Sequence, residues 1–181
     1  DWFRKVTLDG FDSVAIQVGH KERDEVILEG HYAYLFPAEK VRPNASRHGI
    51  SYNGPAGWAN DWIDNWKSTS AYPYWCLNVI RKGEYKILLK YACGKGDIGS
   101  KLQLEVSNSS VKFNVMKPFE SKMMPSADRI NRKEVYEQLW GTMDLGVVKL
   151  NKGFTKLKLR ALEIPGGEAI ELKEVHLIRK R

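Results

Sequence analysis

The side chains best suited to hold a ligand lie in one run, Gly57 to Trp66, GWANDWIDNW, where Trp58, Trp62 and Trp66 recur every four residues among Asn60, Asp61, Asp64 and Asn65. Tyr72 and Tyr74 follow a short way downstream. Flat rings present apolar area to the C–H groups of a sugar, while neighbouring amides and carboxylates can bond its hydroxyls. A spacing of four would align the indoles on a helix. The flanking Gly54, Pro55 and Gly57 and the interleaved Asn and Asp are turn formers, so a structured loop is the expectation. Two readings follow: the indoles plug one end of a core, or one or two stay exposed as a sugar platform. On the second reading the carbohydrate-binding residues are Trp58, Trp62, Asp61, Asp64, Tyr72 and Tyr74.

Other chemistry is sparse. Gly94-Lys95-Gly96-Asp97-Ile98-Gly99 matches GxGxxG, but the strand-like KLQLEV follows it, so the helix N-terminus that would take a pyrophosphate is missing. Kinase catalytic sequences are absent, and His20, His31, His48 and His176 are scattered without zinc-ligand spacing. No Ser-His-Asp set or glycosidase carboxylate pair can be singled out. The chain is expected to have no catalysis of its own.

The elements that must carry these residues are strands. In YWCLNVI, Trp75, Leu77 and Val79 share one face; in YKILLKYAC, Tyr85, Ile87, Leu89 and Tyr91 do the same, with Lys86 and Lys90 opposite. Arg81-Lys82-Gly83-Glu84 turns the chain between them. VILEGHYAYLF from Val26 reads as the first strand, KLQLEV and VKFNV as a hairpin or arch, and MDLGVVKL, FTKLKLRAL and AIELKEVHLI as the last three. Leu172 and Val175 shift parity, which predicts a bulge. Met116 to Gly141 breaks the rhythm and carries DRINRKEVYEQLW, a short helical excursion that Asp128 could cap. Such an excursion covers an open end or forms the rim of a site. Eight or nine strands with one short helical excursion predict an all-β antiparallel sandwich.

The 181 residues suffice for one domain, and no apolar run approaches the roughly 18 residues of a membrane span. The chain opens on Asp1, as a piece of a longer protein would. Two cysteines make no disulfide framework. If the two central strands formed a hairpin, Cys76 would fall near Leu89, four residues out of step with Cys93, and in different sheets their opposite parity still disfavours a bond. The net charge of +7 asks for an anionic partner. Lys112, Lys149, Lys152, Lys156, Lys158 and Arg160 fall at outward positions, which makes them either a solvated face or a surface for an anionic glycan. No helix-turn-helix, zinc-finger or ribonucleoprotein pattern accompanies them, so nucleic acid is not expected.

The runs NDWIDNWKSTSAYPYW, GEYKILLKYACGKGDIGSKLQLEV and LGVVKLNKGFTKLKLRALEIPGGEAIELKEVHL resemble the C-terminal module of bacterial arylsulfatase-like proteins. More distantly they are similar to galactose-binding-like jelly rolls used as carbohydrate-binding modules. DWFRKV resembles the last helix of a sulfatase domain and IQVGHKERDEVILEG the linker that follows it. The resemblance implies residues 1–25 as linker or catalytic-domain remnant and 26–181 as a jelly-roll module. It implies a non-catalytic accessory role, glycan binding with acidic or sulfated chains favoured, and a periplasmic or extracellular bacterial address. A purely structural module packed on the catalytic domain is the alternative. The sulfatase C/S-x-P-S-R motif is absent; Met124 to Arg129 is the nearest string. Related modules hold a structural calcium with acidic residues of the first and last strands. Glu29 matches the first and is the calcium candidate, but Lys173 stands at the second, with Glu171 and Glu174 beside it, so no cofactor is assigned and a structural calcium stays the alternative.

Overall fold

The computed structural model describes residues 15–37, 48–54, 61–125 and 137–180. Twelve strands are assigned there: β1 (Ile16–Val18), β2 (Glu25–Glu29), β3 (Tyr34–Phe36), β4 (Ser51–Tyr52), β5 (Ile63–Asp64), β6 (Tyr72–Val79), β7 (Gly83–Ala92), β8 (Lys101–Val106), β9 (Ser109–Asn114), β10 (Gly141–Leu150), β11 (Gly153–Glu163) and β12 (Glu171–Arg179). The strands beyond the expected eight or nine are pieces of two to three residues such as β1, β3, β4 and β5. Two six-stranded sheets face each other. Sheet A runs β1-β6-β11-β8-β9 with β3 also on β6; sheet B runs β10-β7-β12-β5-β4 with β2 also on β12. The described residues thus form an all-β sandwich.

One-sided strands dictate this arrangement. Pro73, Trp75, Leu77 and Val79 of β6 are buried, as are Tyr85, Ile87, Leu89 and Tyr91 of β7, while the residues between them are less buried. Each strand can satisfy its apolar face only against a facing sheet. Accordingly β6 and β7 do not form a hairpin: the chain crosses from sheet A to sheet B between them, and both contribute to one core. The same crossing separates β10 from β11, whereas β8 and β9 do pair as a hairpin, Val106 opposite Ser109. Cys76 therefore lies half-buried on the outside of sheet A and Cys93 inside the core, both as free thiols. Burial pushes the Cys93 thiol up to about 11, so it stays protonated.

Two further details differ from the expectation or refine it. The single strand read from Val26 to Phe36 is broken by a 3-10 turn at Gly30–Tyr32, which moves the chain from β2 in sheet B to β3 in sheet A. Gly30 permits this because any Cβ there would meet the carbonyl oxygens of Leu172 and Lys173 at 2.8 and 2.9 Å. The bulge expected in the last strand is present: the register of β12 against β7 shifts between Leu172 and Glu174, leaving Lys173 as the extra residue. Ile16–Val18 runs parallel to β6 as a flank of sheet A. The helical stretch expected around Asp128 lies outside the described residues. Its neighbours are tied down by bridges at Cys93–Phe119 and Met123–Gln138.

Trp75 is fully buried, and its indole N–H donates to the carbonyl of Glu29 at 2.9 Å, joining β6 of one sheet to β2 of the other. Trp75→Ala should cost about 3–5 kcal/mol, the range for large aromatic truncations in a core. Chemical denaturation of both proteins reads this directly, and an unchanged midpoint would contradict the packing.

Candidate functional site

A cavity of about 400 Å³ opens on the outside of sheet B, lined by Glu29, His31, Lys90, Glu137, Gln138, Leu139, Trp140, Lys173 and Glu174. Strand register makes its floor. Glu174 of β12 lies opposite Glu29 of β2 on one side and Lys90 of β7 on the other, and Lys90 lies opposite Thr142 of β10, to which its ammonium donates at 2.8 Å. Outward strand positions thus set charged groups side by side across three strands, with the Thr142 hydroxyl on a fourth.

The wall is the end of the long excursion. Backbone bonds from Met124 to Glu137 and from Leu139 to Lys122, at 2.9 and 3.0 Å, fix residues 137–139 against 122–124. The Gln138 amide donates to Glu171 at 2.7 Å. Glu137 accepts from the Trp140 indole N–H at 2.8 Å and from Lys173 Nζ at 3.2 Å. Lys173 also stands 5.8 Å from the Trp140 ring centroid. The bulge is what brings Lys173 here, because the extra residue turns its side chain to the excursion. Trp140 is therefore held by its N–H, by an ammonium, and by the edge of Trp62, whose ring meets it at 5.3 Å and 71°.

Behind that wall Asp61 is fully buried. One carboxylate oxygen accepts from the backbone N–H groups of Gly54 and Trp62 at 2.8 and 2.9 Å, and the other is buried without a partner. Burial raises the Asp61 pKa; the two N–H bonds and then the positive fields of His31 and Lys173 act against it. Glu171 is likewise raised, chiefly by burial.

The residues named from sequence go to separate places. Asp61 and Trp62 come together behind the cavity, where Trp62 supports Trp140 and exposes only 4% of its own surface. Its buried ring leaves no face for a sugar. Trp66 is fully buried and donates to the carbonyl of Ala71. Asp64 accepts from the next backbone N–H at 2.7 Å and does not line the cavity. Trp58 lies outside the described residues. Tyr72 and Tyr74 stand on the outside of sheet A, on the other side of the molecule from the cavity, where both have rings stacked against them. Trp140 and Lys173 were missed as site residues. Trp140 ends a stretch that reads as helix in the sequence, and Lys173 reads there only as a departure from the expected calcium-binding acid. The parity shift at Leu172 to Val175 was the available signal.

Glu29, the calcium candidate named from the sequence, stands among charged partners. Its carboxylate lies 3.3 Å from His31 Nε2, Glu174 bonds His176, and Glu137 holds Lys173. Calcium takes about six to eight oxygen ligands, whereas here the Glu137 carboxylate is already bonded to the Lys173 ammonium. Among the described residues no group of three or more His, Cys, Asp or Glu is placed to hold a metal.

His176 beside the cavity bonds Glu25 through Nδ1 at 2.6 Å and Glu174 through Nε2 at 2.8 Å. Two carboxylate partners require both ring nitrogens to donate, so the charged imidazolium is the species that fits. The bond to Glu174 raises the His176 pKa, and the same bond lowers that of Glu174. A raised histidine contributes stability that is complete below its unfolded value of about 6.5 and is lost as pH climbs through the folded value. A depressed Glu174 contributes stability above about 4.5 that is lost as pH falls through its folded value. Thermal midpoints measured across pH should therefore fall on the alkaline side of about 6.5. His176→Gln should flatten that fall; an identical slope in the variant would show that this bond pair contributes nothing to it.

No protein-family model and no curated protein matches the chain. Solved structures do. A family 35 carbohydrate-binding module from Clostridium thermocellum is similar over 86% of this chain and 98% of its own, at 15% identity and a TM-score of 0.54. A β-(1,4)-mannanase with a GH26-CBM35 architecture from Podospora anserina is similar over 88% of this chain at 14% identity and a TM-score of 0.54, and this chain spans only 28% of it. The mosquito-larvicidal Cry4Aa toxin of Bacillus thuringiensis gives 87% coverage of this chain and 24% of its own, 12% identity and a TM-score of 0.55. None of the three is an arylsulfatase, and a toxin and a sugar-binding module on one fold show that the likeness is architectural. The chain has the two-sheet β sandwich found in carbohydrate-binding modules.

Proposed function

We propose that this chain is a non-catalytic accessory module that binds carbohydrate in the cavity beside Trp140. The observation that carries the reading is a half-buried indole fixed by Glu137, Lys173 and Trp62 at the wall of a cavity whose floor is Glu29, Glu174 and Lys90. Sugar recognition needs an apolar surface beside hydroxyl-bonding groups in fixed positions, and this wall and floor offer both. Some 400 Å³ is at the small end for a ligand site, which suits one unit or the end of a glycan chain. The likeness to a carbohydrate-binding module over nearly its whole length supports the class. The likeness to part of a mannanase supports attachment to a catalytic domain in the same polypeptide.

The boundary at residue 26 expected from the sequence moves upstream, because Ile16–Val18 already pairs with β6 in sheet A. A sulfatase-like parent, entering through the N-terminal residues ahead of β1, belongs to this proposal and rests on the sequence resemblance. So does an extracellular or periplasmic site of action. Among the described residues no helix is long and apolar enough to cross a membrane. The second reading is a structural module that packs on its catalytic domain, and the complete burial of Trp66 and Trp75 favours it by placing those indoles in the core.

Calorimetric titration of neutral and acidic oligosaccharides into the wild type and Trp140→Ala separates the two, with folding checked for each. Loss of an anchoring aromatic should weaken binding by at least about tenfold. Undiminished binding by the variant would move the site away from Trp140, and no binding of any oligosaccharide by either protein would leave the structural reading.

A further inference from the structure

The cavity mixes three carboxylates with two lysines, so it gives no preference for anions. A row of cations stands instead on the outside of sheet A. Along β11, Leu157, Leu159 and Ala161 are buried while Phe154, Lys156, Lys158, Arg160 and Leu162 point outward. Three cations thus occupy consecutive outward positions, about 6.6 Å apart at roughly 3.3 Å per residue.

Two of these three cations are held against aromatic rings. Phe36 of β3 stacks on Tyr72 of β6 at 4.7 Å and 17°, and the Arg160 guanidinium lies 5.1 Å from the Tyr72 ring centroid. Tyr34 stacks on Tyr74 at 5.1 Å and 16°, and the Lys156 ammonium lies 4.8 Å from the Tyr74 centroid. Each of these β6 rings therefore stands between another ring and a cation. The ring faces, which a sugar would need for stacking, are used to hold the cations in place. A cation already fixed on a ring has less side-chain freedom to lose when it meets an anion.

The cations also lack counterions. Lys86, Lys101 and Lys173 sit within ion-pair distance of Asp144, Glu163 and Glu137. Among the described residues no carboxylate lies that close to Lys156, Lys158, Arg160 or Lys112; Glu105 lies opposite Lys158 in register without an ion pair. Arg160 Nε is buried without a hydrogen-bond partner.

We propose that this face is a second binding surface, a cationic ridge of Lys156, Lys158 and Arg160 that takes the sulfate or carboxylate groups of an acidic polysaccharide. The inference shares with the cavity reading only the class of ligand and uses none of the cavity's residues. Exposed Phe154 and Leu162, at 81% and 40%, bracket the row and offer apolar contacts to sugar C–H faces. A single-stranded nucleic acid would want open ring faces for its bases, and here Tyr72 and Tyr74 have theirs covered.

Affinity electrophoresis of the whole chain in gels containing heparin, polygalacturonate, dextran or poly(dT), at low and high salt, tests this. Retardation by at least one acidic polysaccharide, weakening with salt and absent with dextran, is expected; heparin alone would identify sulfate, and polygalacturonate alone carboxylate, as the recognised group. The Lys156→Gln/Lys158→Gln/Arg160→Gln variant should lose about tenfold in affinity, the sum of three exposed charge pairs. Lys86→Gln/Lys149→Gln, which removes cations from the opposite sheet, should lose far less. Should the triple variant fail to fold, Lys158→Gln, whose side chain no ring holds, must still show a smaller loss. The proposal is overturned by no retardation in either acidic gel at low salt, or by undiminished affinity in the ridge variants. An equal loss in the opposite-sheet variant would reduce the effect to net charge and overturn it too, as would tighter binding of poly(dT) than of both polysaccharides.

Discussion

The hydrogen bond from the Trp75 indole to the Glu29 carbonyl joins the two sheets at the point where the rest of the molecule is decided. Trp75 faces inward from β6, and Glu29 ends β2 in the opposite sheet just before the chain turns at Gly30. A buried indole N–H needs an acceptor, and a strand end about to leave its ladder has a carbonyl to give. The same contact fixes where Glu29 and His31 enter the cavity floor. Core packing and site geometry are therefore one constraint, and loosening the first would move the second.

The sandwich divides aromatic residues by role. Trp66 and Trp75 fill the interior, Trp62 backs a wall, and Trp140 faces a cavity. On the outside of sheet A the aromatic residues of β3 and β6 stack in pairs across the strands and clamp cations of β11. A flat sheet face favours this arrangement because residues opposite each other in adjacent strands stand within ring-stacking distance. The outcome is a surface whose chemistry is carried by charge, while the cavity's chemistry is carried by a ring and a balanced set of polar groups.

Lys173 links the two halves of the cavity. It is the extra residue of a bulge in β12, its ammonium bonds Glu137, and it lies over Trp140. Its ammonium is mostly buried, and Glu137 supplies the opposite charge at 3.2 Å. Burying such a charge is tolerable only because its partners are fixed by the excursion and by neighbouring strands.

How far the sequence reached follows from the range of each interaction. The period-two patterns of β6 and β7 placed Trp75, Leu77, Val79, Tyr85, Ile87, Leu89 and Tyr91 inside, since facing alternates within the strand itself. The parity shift at Leu172 to Val175 marked the bulge for the same reason. Local pattern could not say that β6 and β7 lie in different sheets, because a short turn serves a hairpin or a crossing equally well until both sheets exist to be packed. Nor could it show that Asp61 and Trp62 are buried while Trp140 lines the cavity, or that Tyr72 and Tyr74 are clamped between other side chains. Those outcomes depend on residues brought together from distant strands, and register between strands is set only when the two apolar faces close on each other.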